Sequence, residues 1–212
     1  MEHWSAARLT FCLVVVVTGT AAFGAALGSW RAPQQALYTA IKLPGILLLT
    51  ALGNGLLNAM LAPLLGLNLS LRQSLLAVLL SFTIAAAILG AFSPLLWFLL
   101  WNVPPLTEAS PQSLTTHRLI LVTETLMIAF AGIAANLRLV QLLRELSGSR
   151  AVARKVLFAW LAGNLLLGSQ LAWILRPFVG SPVLPVQFLR PDAFQGNFFE
   201  LIWLAIRHLL FP

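Results

Sequence analysis

The sequence predicts an all-α protein: a polytopic transmembrane bundle of about five spanning helices followed by a C-terminal interfacial helix. Three observations lead there. Of 212 residues, 59% are hydrophobic and only 9% are charged, against about 25% charged in a soluble domain. Such a chain cannot cover a water-facing surface. Five stretches are long and apolar enough to span a hydrocarbon core, which takes about 20 residues of helix. Trp30, Trp97, Trp101 and Trp173 fall near the ends of those stretches, at the depth where tryptophan rings favour the headgroup region. Little soluble material separates the stretches, so residues 1–212 are expected to form a single integral membrane domain.

The first span covers about residues 9–30. Gly24 and Gly28 sit four apart, a spacing that lets helix backbones approach closely. Arg8, the apolar core from Leu9 to Val17 and the small residues Ala21 and Ala22 also fit a cleaved signal peptide. The apolar stretch continues to Trp30, however, and that length favours a retained span. The second span, about 42–67, opens on Lys42 just before Pro44 and carries Asn54 and Asn58 one turn apart. The third, about 74–101, is long enough to require a tilt or a kink at Pro94. The fourth, about 119–137, holds Glu124 between Thr123 and Thr125, with Asn136 near its far end. The fifth, about 156–175, holds Asn164 and Gln170.

Four prolines and two glycines punctuate the stretch from Arg176 to Gly196. They forbid a continuing helix and reduce chain entropy, so an ordered loop folding back onto the helix ends is expected. The last apolar piece, about 198–211, is too short to span. Its Glu200, Arg207 and His208 fall near one helical face, as in a helix lying along the membrane surface. A re-entrant segment is the alternative.

Orientation follows from the basic residues. The connection after the fourth span carries Arg138, Arg144, Arg150, Arg154 and Lys155 against Glu145, and the positive-inside rule places it in the cytoplasm. Alternation puts the N-terminus inside and the C-terminus on the outer side. Arg31, Arg176, Arg190 and Arg207 then lie outside as well. The net charge of +7 comes from 13 scattered basic residues. Scattering of this kind excludes a nucleic-acid stripe and fits contact with a lipid bilayer.

No cofactor or metal is expected. Cys12 is the single cysteine, and His3, His117 and His208 are far apart, so no metal-ligand spacing exists. Signatures of hydrolytic or phosphate-binding chemistry are missing, and the single aspartate, Asp192, lies outside the spans. An enzyme is therefore not expected.

Ionisable groups inside a bilayer are costly, so each is a functional candidate. Lys42 and Glu124 fall at similar depths in the outer half of their spans. They are expected either to pair as a buried clasp or to part, with Lys42 snorkelling and Glu124 meeting Arg176. A third reading makes Glu124 a proton- or ion-handling group. Asn54, Asn58, Asn164 and Gln170 need polar partners in lipid and are expected to face other helices. Arg176, Arg190, Asp192 and Glu200 are expected to line a polar surface near Lys42 and Glu124.

The string Ala40-Ile41-Lys42-Leu43-Pro44, followed by a small-residue and Asn-rich helix, is similar to bacterial members of the Yip1 family of small membrane proteins. The Arg176–Pro182 and Gly196–Glu200 strings resemble a bacterial group with an Arg-Pro-Phe-x-Gly-Ser-Pro loop. The resemblance implies a five-helix fold and a bacterial inner membrane; it supplies no reaction. Two functions remain open. One is a non-enzymatic scaffold or partner-binding protein, an oligomer or a subunit with another membrane protein. The other is a channel or transporter with Glu124, Asn54 and Asn58 along the path.

Overall fold

The structure, a computed structural model, describes residues 6–104, 111–200, 203 and 207. It is a helical bundle of α1 (Ala6–Ser29), α2 (Pro33–Leu64), α3 (Leu71–Trp101), α4 (Pro111–Ser147) and α5 (Arg150–Leu175). All five are long and apolar enough to cross a membrane, and the chain is an integral membrane protein. No strand occurs among the described residues. A short C-terminal helix begins at residue 198 and includes Trp203 and Arg207. The remainder of the expected 198–211 helix lies outside the described residues.

Local chemistry sets the helix ends. Pro33 opens α2, where its missing N–H costs nothing. At the other end Gly66 takes φ +89°. Leu67 N donates to Ala62 O at 2.9 Å and Gly66 N to Pro63 O at 3.1 Å, the paired bonds of a glycine-terminated helix. Ser70 and Gln73 form a reciprocal capping box at the start of α3. Pro94 lies inside α3 without ending it.

The expected cytoplasmic loop between the fourth and fifth spans is a helical hairpin instead. Only Gly148 and Ser149 separate α4 from α5. Gly148 adopts φ +61°, and the Ser149 side chain caps α5 by accepting from Val152 N. Arg138, Arg144, Arg150, Arg154 and Lys155 therefore lie on helix. The reason is an apolar stripe that continues past the spans. Leu139, Leu143, Ala153 and Val156 are buried against Leu67, Leu69, Val78 and Trp160. With 37 residues α4 is about 55 Å long, well beyond a hydrocarbon core of about 30 Å.

Helices α2, α3, α4 and α5 pack neighbour to neighbour in a closed ring, and α1 packs against both α2 and α3. Glycines make that last contact close. A Cβ built on Gly24 would lie 2.6 Å from Thr39 O, and one on Gly28 2.5 Å from Gln35 O. One apolar cluster, including Phe23, Leu27, Trp30, Leu96 and Ile120, fills the end of the bundle where α2 and α4 begin. The loop after α5 adds Val179 to the same cluster. By contrast α5 buries only Ala153, Val156 and Trp160, all in its first half.

Candidate functional site

The polar residues gather where α2 and α4 begin and α5 ends, and the loop after α5 organises them. Gln35, Thr39 and Lys42, spaced by four and three, form a stripe along α2, and Arg31 lies in the turn just before that helix. Residues so spaced share a face. Each side chain donates to a backbone carbonyl of the loop. Arg31 Nε meets Ser181 O at 2.9 Å and its Nη2 meets Leu184 O at 3.3 Å. Gln35 Nε2 meets Pro177 O at 3.0 Å and Phe178 O at 2.9 Å. Thr39 Oγ1 meets Phe178 O at 2.6 Å, and Lys42 Nζ meets Pro177 O at 3.1 Å. From α4, His117 Nε2 meets Gly180 O at 2.9 Å. A loop near lipid must satisfy its carbonyls with protein groups, and this stripe does so.

Gly180 has φ +88°, and a Cβ there would sit 2.7 Å from the Arg31 side chain. A side chain at 180 would therefore be strained in conformation and would also push Arg31 off the loop.

Neither expected ion pair forms. Lys42 does not reach Glu124, and it does not snorkel, being 2% exposed. The loop comes between them: the ammonium meets Pro177 O and lies over the rings of Phe188 (5.1 Å) and Phe178 (5.9 Å). Those distances are within reach of cation–π attraction. Arg176 does not take Glu124 either. Its guanidinium bonds Asp192 at 3.1 Å and Trp173 O at 2.6 Å, and stacks 3.6 Å from the Trp173 ring. Arg176–Asp192 is the ion pair found among the described residues.

Glu124 Oε2 is buried and has no partner. The carboxylate faces a cavity of about 240 Å³ whose walls include His117, Leu121, Arg176, Gly180 and Arg190. The expected polar surface is thus partly right. Arg176 and Arg190 line the Glu124 cavity, and Asp192 orients Arg176. Glu200 does not line it. It is exposed at the start of the C-terminal helix, where Asn197 Oδ1 accepts from its backbone N–H at 2.8 Å. Gln170 ties the same region to α5, its Oε1 accepting from Phe198 N at 3.0 Å.

The amides of α2 and α5 meet as a second cluster, nearer the middle of the bundle. Asn54 Nδ2 donates to Asn164 Oδ1 at 2.6 Å and to Trp160 O at 3.3 Å. Gly163 makes room, since a Cβ there would overlap Asn54 Oδ1. Asn58 is fully buried and neither polar atom of its side chain has a partner. Asn136 turns back to its own helix, donating to Gly132 O at 2.8 Å. We expect a double-mutant cycle on Asn54→Leu and Asn164→Leu, followed by unfolding in detergent, to give a coupling of about 0.6–1.7 kcal/mol. Additive effects would mean the two amides do not depend on each other.

Sequence reasoning missed Arg31, Gln35, Thr39 and His117. For Gln35 and Thr39 the signal was their helical spacing of four and three ahead of Lys42. It went unread because a span beginning at Lys42 leaves those positions in a loop, where helical spacing has no meaning.

A bundle of apolar helices with a hydrogen-bonded cap and few buried charges defines a polytopic helical membrane protein. Compared with known protein families, curated proteins and solved structures, the chain matches none.

Proposed function

We propose that the protein is a non-enzymatic membrane component that binds a partner, either further copies of itself or another membrane protein. The observation that carries this reading is the fastened loop. Five side chains, from the turn before α2, α2 itself and α4, are spent on five carbonyls between Pro177 and Leu184. Lys42, the most deeply buried cation, is committed to the cap and is not free to serve a path. The open outer half of α5, with Leu165 and Leu166 exposed beside Asn164, offers a face to a neighbouring helix. The proposed setting is a bacterial inner membrane with the N-terminus cytoplasmic and the C-terminus outside. The basic ends of α4 and α5 and the resemblance to the Yip1 group support it.

A second reading, a channel or transporter for ions or small solutes, is favoured by one observation, the unpartnered Glu124 oxygen facing a cavity. Reconstituted vesicles with imposed ion and proton gradients separate the two. The partner-binding reading expects no flux above empty vesicles from the wild type or from Glu124→Gln, together with an oligomer or a stable complex in mild detergent. Wild-type flux that disappears in a folded Glu124→Gln variant would overturn it.

A further inference from the structure

Glu124 and Arg190 are charged groups of opposite sign that face one cavity and do not satisfy each other. Glu124 Oε2 is buried without a partner. The Arg190 guanidinium has neither a hydrogen bond nor an ion pair among the described residues. Buried polar groups in native proteins are nearly always satisfied, so the orphaned Glu124 oxygen calls for an occupant; Arg190, part-exposed, stands at the same cavity with its guanidinium unengaged. A simple cation would answer Glu124 and leave Arg190 unengaged beside it. A simple anion would answer Arg190 and be repelled by the carboxylate. An occupant carrying both charges answers both.

We infer that the cavity between Glu124 and Arg190 binds a zwitterionic group with an ammonium and a phosphate a few bonds apart, the chemistry of an ethanolamine phosphate headgroup. The ammonium lies against the Glu124 carboxylate. The phosphate lies against Arg190, whose planar fork matches phosphate oxygens. Arg176 keeps its place through Asp192 and Trp173 and adds positive potential at the phosphate end. His117 holds the roof through Gly180 O. At about 240 Å³ the cavity falls below the range of about 300–1,000 Å³ typical of drug-sized ligands and suits a small headgroup. Leu121 forms part of the wall and is 38% exposed on α4, which leaves a side open toward the region acyl chains occupy. The site goes beyond the partner-binding reading and does not depend on it.

The test is a binding titration of delipidated protein in detergent, read by native mass spectrometry and by thermal shift. The probes are phosphatidylethanolamine, phosphatidylglycerol and soluble phosphoethanolamine. We expect phosphatidylethanolamine to be retained at least about tenfold over phosphatidylglycerol. Glu124→Gln and Arg190→Gln should each weaken retention about tenfold, the size of one lost charged hydrogen bond. Arg72→Gln, on the first turn of α3 at the opposite end of the bundle, should leave it unchanged. Phosphoethanolamine that binds and displaces the lipid supports the site with the headgroup as its whole ligand; lipid binding without such competition supports it with a chain-bearing ligand. Equal retention of the two lipids by the wild type overturns the proposal even if the variants fail to fold. So does retention of phosphatidylethanolamine that both folded variants leave unchanged. No gradient is imposed, so this result and the flux result fail separately.

Discussion

Gly24→Leu is expected to lower the stability of the bundle in detergent by about 3 kcal/mol or more, the upper end of overpacking costs. The obstruction is backbone. A Cβ at residue 24 would stand 2.6 Å from Thr39 O and 2.8 Å from Thr39 C, and neither can swing aside as a side-chain tip can. The two helices must separate, and a separation of α1 from α2 strips packing along their whole shared face. It would also disturb the cap, because Thr39 on α2 holds Phe178 O. Gly132→Ala on α4 supplies the contrast. Nothing lies within 4 Å of a Cβ there, so exchanging helical glycine for alanine should be neutral or stabilising by up to about 1 kcal/mol. Thermal unfolding of both variants in one detergent checks the pair. Equal stabilities would mean that α1 is not docked on α2 as described.

What the sequence reveals here follows from which physical signal each feature leaves. The bundle was legible because apolar length is a property of composition, and a bilayer leaves the backbone few alternatives to helix. The α1 contact was legible as a spacing, Gly24 and Gly28, although not as to its partner helix. The ends of α2, α4 and α5 were misjudged because charged residues were treated as boundaries. Lys42 lies inside α2 on a hydrogen bond to the loop, and Arg144 lies inside α4 on a stripe anchored by Leu139 and Leu143. The same habit hid the cap. Pairing Lys42 with Glu124 assumed that a buried charge seeks an opposite charge. The loop instead offered peptide carbonyls, which are strong acceptors and are no less in need of partners. A side chain–backbone bond of that kind leaves no complementary residue in the sequence to be found. The Asn54–Asn164 contact, made between side chains of like type, could be anticipated as a need and not as a pairing.

The loop is expected to be held chiefly by Gln35 and Thr39, with Lys42 secondary despite its charge. Gln35 is fully buried and bonds two carbonyls, while Thr39 bonds the second of them again. Replacing both, as Gln35→Met with Thr39→Val, keeps the volumes and removes both side-chain donors to Phe178 O. Leaving a carbonyl unpaired costs about 1–3 kcal/mol in addition to the lost bonds. Offsetting this, the Gln35 Oε1 that is buried without a partner is also removed. A net loss of about 3 kcal/mol raises the population of the open loop roughly a hundredfold. Val179 is 2% exposed, so a cysteine placed there in a Cys12→Ser background reports opening through its rate of thiol labelling. Lys42→Met should change that rate by less than about tenfold. Its single bond is to Pro177 O, which Gln35 also holds, and its removal relieves the desolvation of a buried cation. The order of the two rates is the decisive quantity. Faster labelling in Lys42→Met than in the Gln35/Thr39 pair would make the ammonium the latch. That outcome would return Lys42 to the centre of any account in which the loop opens.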